Sequence, residues 1–291
     1  MKLGKLVLAV SFPAFLAAAS MPASAADIVY PIDDPVYAPV PMALLGDLKL
    51  GLGFSHVDTS YSTDDDDDET FMDVLGEGRA NVPLNGGAMQ LQLDVGAYGA
   101  LQDGYGSSSA AFQGHLWHMR DAYAYGLFGG LQLAGYGPAI WSIGAEAEHY
   151  YGNATLGAYA AYRFSSSEDD ISIFQVNGYL EHYVNPDHKV GIELGYTTYD
   201  SDGPFDVDSW EILVSGEKRV SGTPFSYWAE AGYSDWSASG GPGDASAWGA
   251  MVGVRIALGG TPGMTLQEHD RYLPWDNLSG TQSMIYGMDR R

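Results

Sequence analysis

The fold class this sequence predicts is all-β: a single transmembrane antiparallel up-and-down β-barrel of about twelve strands. Three observations carry that expectation. Segment after segment alternates apolar and polar residues with a period of two, as a half-buried strand does. The connections between segments alternate between short turns and mostly longer, acidic or Gly/Ser-rich loops. No Asp, Glu, Lys or Arg falls on the apolar face of any segment. The plainest case is Met89 to Gln102, where Met89, Leu91, Leu93, Val95, Ala97, Gly99 and Leu101 share one face. Gln90, Gln92, Asp94, Gly96, Tyr98, Ala100 and Gln102 share the other.

Taken in order, the chain begins with Lys2 and Lys5, an apolar stretch from Leu6 to Ala19, and Ala23-Ser24-Ala25. This is the layout of a secretory signal peptide over residues 1–25. A membrane-spanning helix fits less well, because the apolar run is short and a cleavage motif follows it. Removing the leader takes away two of the 13 basic residues and no acid, so the net charge moves from −24 to −26. Such a charge argues against nucleic acid and anionic lipid as partners, since both need clustered Lys and Arg. The chain has no cysteine, which excludes disulfide staples and thiolate chemistry. Its 38 glycines and 20 tyrosines suit a β-rich protein. Residues 26–45 carry Pro31, Pro35, Pro39 and Pro41, a spacing no interior strand or helix tolerates, and read as a Pro-rich periplasmic N-terminal arm.

Residues 46–258 form the barrel region. Strands are expected near 47–57, 71–82, 88–101, 110–119, 122–134, 140–151, 154–164, 171–184, 189–199, 208–216, 225–235 and 246–258. Short turns fall at Pro83–Gly87 (with Asn85-Gly86), Arg120-Asp121, Gly152-Asn153, Asn185–His188 and Lys218–Pro224. The other set comprises Asp58–Thr70, Asp103–Ser109, Tyr136–Pro138, Ser165–Asp170, Asp200–Val207 and Ser237–Ala245. Outward faces such as Leu48/Leu50/Leu52/Phe54, Ile143/Ala145/Ala147 and Val252/Val254/Ile256 are free of charge. An Arg or Lys facing lipid at the midplane costs roughly 2–4 kcal/mol, so this absence is what lipid demands. Phe112, Trp141, Phe174, Trp210, Trp248, Tyr162/Phe164, Tyr196 and Tyr233 mark one edge of the apolar belt, and Tyr123/Tyr125, Tyr151 and Phe225/Tyr227 the other. A soluble sandwich also alternates, but nothing in it calls for two aromatic rings.

On these residues the chain resembles Gram-negative outer-membrane β-barrel proteins of the porin-like kind. The last strand, Met251 to Leu258, is similar to the C-terminal signal read by the barrel-assembly machinery, although it ends on Leu258 rather than an aromatic and is followed by further chain. The resemblance implies insertion in the cell outer membrane, contact with its lipid, and the assembly machinery as a partner during biogenesis. An even strand number and short turns on one side place both termini in the periplasm. Residues 259–291 are then a periplasmic C-terminal tail, read as a terminus without fixed contacts. The alternative is that it folds back into the lumen or meets a partner through Tyr272, Trp275 and Arg290-Arg291.

Candidate pore-lining residues on the inward face are Lys49, Glu77, Arg79, Asp94, Glu146, Glu148, Arg163, Glu181, Glu193, Glu211, Glu230 and Arg255, with Gln113, His115 and Asn177 beside them. Acids outnumber bases, which favours cations or polar neutral solutes over anions. Inward Gly51, Gly53, Gly96, Gly130, Gly157, Gly191 and Gly195 suggest open space, and inward Tyr98, Trp117, Tyr159, Tyr179 and Trp228 offer rings to a sugar face. The Asp64–Asp68 run with Glu69 lacks the spacing of a calcium loop and reads as a solvated charge run. His118, His149 and His182 lie on the outward face without an evident serine partner, so no catalytic residue, cofactor or metal site is assigned. The functional expectation is a passive channel for small hydrophilic solutes, not an enzyme. The alternatives are a closed structural barrel with an acidic surface and a membrane-edge lipid hydrolase.

Overall fold

Lipid accepts a β-sheet only when every backbone N–H and C=O is paired, which requires the sheet to close on itself. The computed structural model does so with twelve strands: β1 (Leu45–Thr59), β2 (Asp67–Leu84), β3 (Met89–Gln102), β4 (Tyr105–Met119), β5 (Tyr123–Ala134), β6 (Ile140–Tyr151), β7 (Ala154–Ser165), β8 (Ile171–Asn185), β9 (His188–Ser201), β10 (Asp206–Arg219), β11 (Phe225–Ser239) and β12 (Ala245–Gly259). Each pairs antiparallel with the next, and β12 closes on β1 in register from Leu45 opposite Gly259 to Thr59 opposite Ala245. The structure describes residues 44–59, 67–102, 105–134, 139–165, 171–201, 206–239, 244–260 and 263–274. The leader, nearly all of the arm, Asp64 to Asp66, and Trp275 with Arg290 and Arg291 lie outside the described residues.

The alternation decides which face each residue takes. Leu127 is 65% exposed, whereas Phe128, the next residue along β5, is 3% exposed and points into the lumen. Leu52, Ile143, Leu156, Leu194 and Val252 are likewise exposed, while Gln92, Asp94, Gln113, Asn177 and Arg255 are buried. This inversion of a soluble core is what a lipid-facing belt around a polar interior produces. At one edge of the belt Trp210 packs on Tyr233 with ring centroids 5.4 Å apart, and at the other Tyr123 stacks on Tyr125 at 6.2 Å.

Several strands run past their expected ends on the long-loop side. β2 starts at Asp67, β4 at Tyr105, and β11 continues to Ser239. Glu69, Asp68 and Asp67 pair in register with Val57, Asp58 and Thr59, so part of the acidic run is strand and not loop. Backbone ladders need no apolar side chains once they leave lipid, so periodicity reports the belt and misses the extension beyond it. At the other end the turns are tight. Asn85 and Gly86 both hold positive φ (48° and 67°), as an Asn-Gly turn requires.

After β12 the chain reverses through Gly259, Gly260 and Gly263, at φ of 74°, 81° and 88°, and forms one short helix, α1 (Leu266–Tyr272). Thr265 caps it: its hydroxyl accepts from the Glu268 amide, and the Glu268 carboxylate accepts from the Thr265 amide at 2.8 Å. The expectation of a tail without fixed contacts gives way here. Residues 263–274 are seated in the short-turn mouth of the barrel, because their polar groups complement those of the mouth.

Candidate functional site

The lumen is where this fold gathers its chemistry, and its glycines are the first surprise. Most leave little open space, because a neighbouring group occupies the room conceded. A Cβ on Gly51 or Gly253 would run into the Trp228 indole, one on Gly157 into the Tyr179 ring, one on Gly130 into Gln113, and one on Gly195 into Glu211. The reading of these positions as free volume is therefore corrected: the filling side chain comes mostly from the residue paired on the neighbouring strand, as Gln113 does opposite Gly130, Tyr179 opposite Gly157, Glu211 opposite Gly195 and Trp228 opposite Gly253. Phe128 and Tyr159 meet edge to face at 6.1 Å and fill part of the interior.

The charges sit in paired sets. Asp47, 1% exposed, takes two guanidinium groups: Arg79 Nη2 at 2.5 Å and Arg255 Nη2 at 2.6 Å. Arg255 also reaches Glu217 at 3.1 Å and Asp270 of α1 at 2.8 Å. Lys189 binds Glu181 at 2.8 Å and Asp270 at 2.9 Å. Nearer the middle, Lys49 lies 3.6 Å from Glu77 and 3.5 Å from Glu230, with its ammonium 4.3 Å from the centre of the Trp228 ring. His115 is completely buried between two carboxylates, Glu146 at 2.8 Å from Nδ1 and Asp94 at 3.2 Å from Nε2. The Asn177 amide donates to both Glu193 (2.6 Å) and Glu211 (2.9 Å), and the Glu148 carboxylate accepts from the Tyr150 and Tyr179 hydroxyls. Arg163 is buried beside Tyr159 and Glu211.

All twelve candidate pore residues thus face the lumen, most of them engaged with residues outside the twelve. The twelve did not include the residues that bind the sets together: Asp47, Lys189, Glu217, His269 and Asp270. Alternation would have found the first three, since Asp47 lies in register with Arg79 and two places from Lys49. Nothing in the sequence signals the last two, because they arrive from the tail. The idea of stacking platforms for sugars also fails at Trp228 and Trp117. One lies against Gly51 and Gly253 and carries Lys49, and the other stacks on His115.

α1 closes the short-turn mouth by touching most of its circumference. His269 Nε2 donates to Gly46 O on β1 at 3.1 Å, and Arg79 and Gln92 of β2 and β3 donate to Pro274 O at 3.4 and 3.2 Å. Asn81 donates to Tyr272 O, and Gln267 and Arg271 donate to Gly152 O in the β6–β7 turn. The Gln267 amide donates to Pro186 O at 2.9 Å and the Leu266 amide to Asp187 Oδ1 at 3.1 Å, both in the β8–β9 turn. Arg219 of β10 donates to Met264 O at 2.6 Å, and the Tyr183 hydroxyl to Asp270 at 2.9 Å. Leu266 and Leu273 are buried apolar anchors. Burial, with Arg255 close by, pushes the His269 imidazole down to about 4, so it is neutral at pH 7. With its proton on Nε2 it can donate to Gly46 and accept from Arg255 at Nδ1, 3.3 Å away. Burial disfavours the Asp270 charge, but Arg255 and Lys189 outweigh it and hold the carboxyl far below the usual range.

Above α1 lies a cavity of about 120 Å³, bounded by Lys49, Arg79, Glu148, Glu181, Lys189, Glu193, Glu217, Trp228, Glu230 and Arg255 from the wall and by Asp270 and Leu273 from the tail. Its walls can exchange hydrogen bonds and charge with water, ions or a small polar solute. Among the described residues no group of three or more His, Cys, Asp or Glu is arranged to hold a metal. Outside the barrel, His182 lies 3.5 Å from the Asn153 amide and His118 packs on Tyr125 at 5.0 Å, neighbours that supply no nucleophile.

No family model matches this chain, and no curated protein matches it in sequence. Solved structures do match. An outer-membrane channel from Pseudomonas putida F1 aligns over 78% of this chain and 99% of its own, at 11% identity and a TM-score of 0.54. The KdgM porin aligns over 72% and 99% at 9% identity and a TM-score of 0.46. An anion-selective porin from Comamonas acidovorans aligns over 74% and 99% at 11% identity and a TM-score of 0.39. At such identities the likeness to the first is one of fold: a barrel of the outer-membrane type.

Proposed function

We propose that this protein is an outer-membrane channel for passive diffusion of small hydrophilic solutes, with no enzymatic role. The observation that carries the reading is the cavity inside a lipid-belted barrel, whose walls bring ten acidic and basic side chains together beside Trp228, Leu213 and Leu273. A barrel that served only as a membrane anchor has no need of a solvated interior. Export follows from the leader over residues 1–25, insertion from the barrel-assembly machinery, and the short turns and both termini face the periplasm. The finer reading is a modest cation preference. Six carboxylates (Glu148, Glu181, Glu193, Glu217, Glu230 and Asp270) line the cavity against four cations (Lys49, Arg79, Lys189 and Arg255), and low-dielectric walls magnify the difference. Because most of the acids are paired, the preference is weaker than a count of acids implies.

The second reading, a closed structural barrel, is favoured by one observation: the mouth's cations are already held by carboxylates, Arg79 and Arg255 from the flanking strands both being locked onto Asp47 of β1. Single-channel recording of the purified full chain in planar bilayers separates the two. Discrete conductance steps, with a reversal potential in a KCl gradient displaced toward that of K⁺, are expected. Silence over long recordings would return the closed barrel to first place, and a displacement toward Cl⁻ would reverse the selectivity alone.

A further inference from the structure

We propose that α1 is a hinged plug, which swings out of the short-turn mouth about Gly263 and thereby opens the lumen. The inference rests on the channel reading. Three features of the structure support it.

The first is that three of the cations the tail engages keep partners without it. When Asp270 departs, Arg255 retains Asp47 and Glu217, Lys189 retains Glu181, and Arg79 retains Asp47. Undocking therefore leaves these three paired, while Asp270, and Arg219 once its bond to Met264 O is given up, pass into water. A merely structural cap has no reason to be backed by a second set of ion pairs in the wall.

The second is that α1 is self-contained. Its capping box lies wholly within Thr265–Glu268, so the helix can leave as a unit with its N-terminus satisfied. Three of its attachments to the rim are hydrogen bonds to turn carbonyls at Gly152 and Pro186, which water can replace one for one.

The third is the connection. Gly259 and Gly260 are held against Leu44 and Leu45 at the start of β1, whereas Gly263, two residues before the cap of α1, has a positive φ of 88° and a Cβ there would meet nothing within 4 Å. A glycine with this freedom and no close neighbour can absorb the rotation that a swinging element needs.

The test uses the full chain, which has no native cysteine. The amide of Gln267 bonds Pro186 O at 2.9 Å, which brings the backbone of Asp187 within disulfide reach of Gln267. In the variant Asp187→Cys/Gln267→Cys, oxidation should abolish conductance steps in planar bilayers, and a reductant should restore them in the same membrane. Asp270→Asn should raise the open fraction several-fold over the unmodified chain. Steps of unchanged size and frequency in the oxidised variant, with the cross-link verified by mass, would overturn the plug and leave the channel standing. So would thiols that fail to join under oxidant, since α1 would then not be held at the turn. If the unmodified chain, the reduced variant and Asp270→Asn are all silent, the channel reading falls and the plug with it.

Discussion

Acidification is the perturbation that reads α1 docking most directly, through His269. In the seated helix the imidazole is pushed from 6.5 to about 4, first by burial and then by Arg255. The groups that face it are Arg255 on β12, Arg79 on β2, Asp47 on β1 and its own neighbour Asp270. Once α1 leaves the mouth, His269 meets water and returns to its ordinary value. Between pH 6.5 and about 4 the undocked state therefore binds more protons than the docked one. Docking is fully favoured above the undocked value and weakens as pH falls toward the docked value. A displacement of this size corresponds to about 3 kcal/mol, or roughly two orders of magnitude in the docking equilibrium, developed over that window. In the docked helix Arg255 and Lys189 hold Asp270 far below this range, and once undocked it returns to its ordinary value of 3.8, so it adds to the loss only at the acid end of the window. Hydrogen exchange followed by mass spectrometry on peptides covering 264–274, corrected for the intrinsic pH dependence of exchange, should show protection falling between pH 7 and pH 5. His269→Gln keeps a donor for Gly46 O and removes the titration, so its profile should be flat over the same window. Equal protection at both ends in the unmodified protein, or the same decline in His269→Gln, would refute the reasoning.

Other consequences concern the wall, the belt and the topology. Asp47→Ala leaves Arg79 and Arg255 without their shared carboxylate in a buried site, and should cost about 3–5 kcal/mol in urea unfolding from micelles. A loss under 1 kcal/mol would show that water, or Glu217 and Asp270, takes its place. Leu127→Arg, midway along β5 and facing lipid, should cost roughly 2–4 kcal/mol of folding free energy in vesicles, whereas the same change at exposed Asn153 should cost almost nothing. Asn153→Cys should be shielded from an impermeant thiol reagent on intact cells and become reactive once the outer membrane is permeabilised. Labelling on intact cells would invert the proposed orientation.

The wall of the barrel was legible because lipid imposes a repeated constraint. Each of Leu48, Leu50 and Leu52 had to be apolar while Lys49 between them did not, so one periodicity marked strand and face together. The extended ends of β2, β4 and β11 were not legible, since beyond the lipid a strand needs no apolar period to pair its backbone. The interior was legible residue by residue and misleading as a whole. Gly51 and Gly157 look like vacancies along the strand, yet Tyr179, paired opposite Gly157 on the next strand, and Trp228, which reaches Gly51 from β11 at the far end of the sequence, occupy them. The seating of His269 and Asp270 was invisible for a related reason. Seven helical residues carry too little periodicity to announce a docking face, and their complement is spread over turns from Gly152 to Arg219.

The ionic pattern also bears on how a channel with this interior would conduct. An open pore needs charged walls that attract ions yet let them leave, and fully paired walls do neither well. Here pairing is heaviest at the short-turn mouth, where Asp47, Arg79, Arg255, Glu217, Lys189 and Asp270 form one connected set. Removal of Asp270 takes one negative charge from that set and leaves three cations facing Asp47, Glu217 and Glu181. The mouth would then be nearly balanced in charge, while Glu77 and Glu230 share the single cation Lys49 deeper in the barrel. Selectivity for cations should accordingly originate in mid-barrel, whereas the mouth determines whether any ion arrives there at all. Glu230→Gln is then expected to change the reversal potential without altering the frequency of opening, and Asp270→Asn to do the opposite. A pair of variants that moved both quantities together would mean that one constriction performs both tasks.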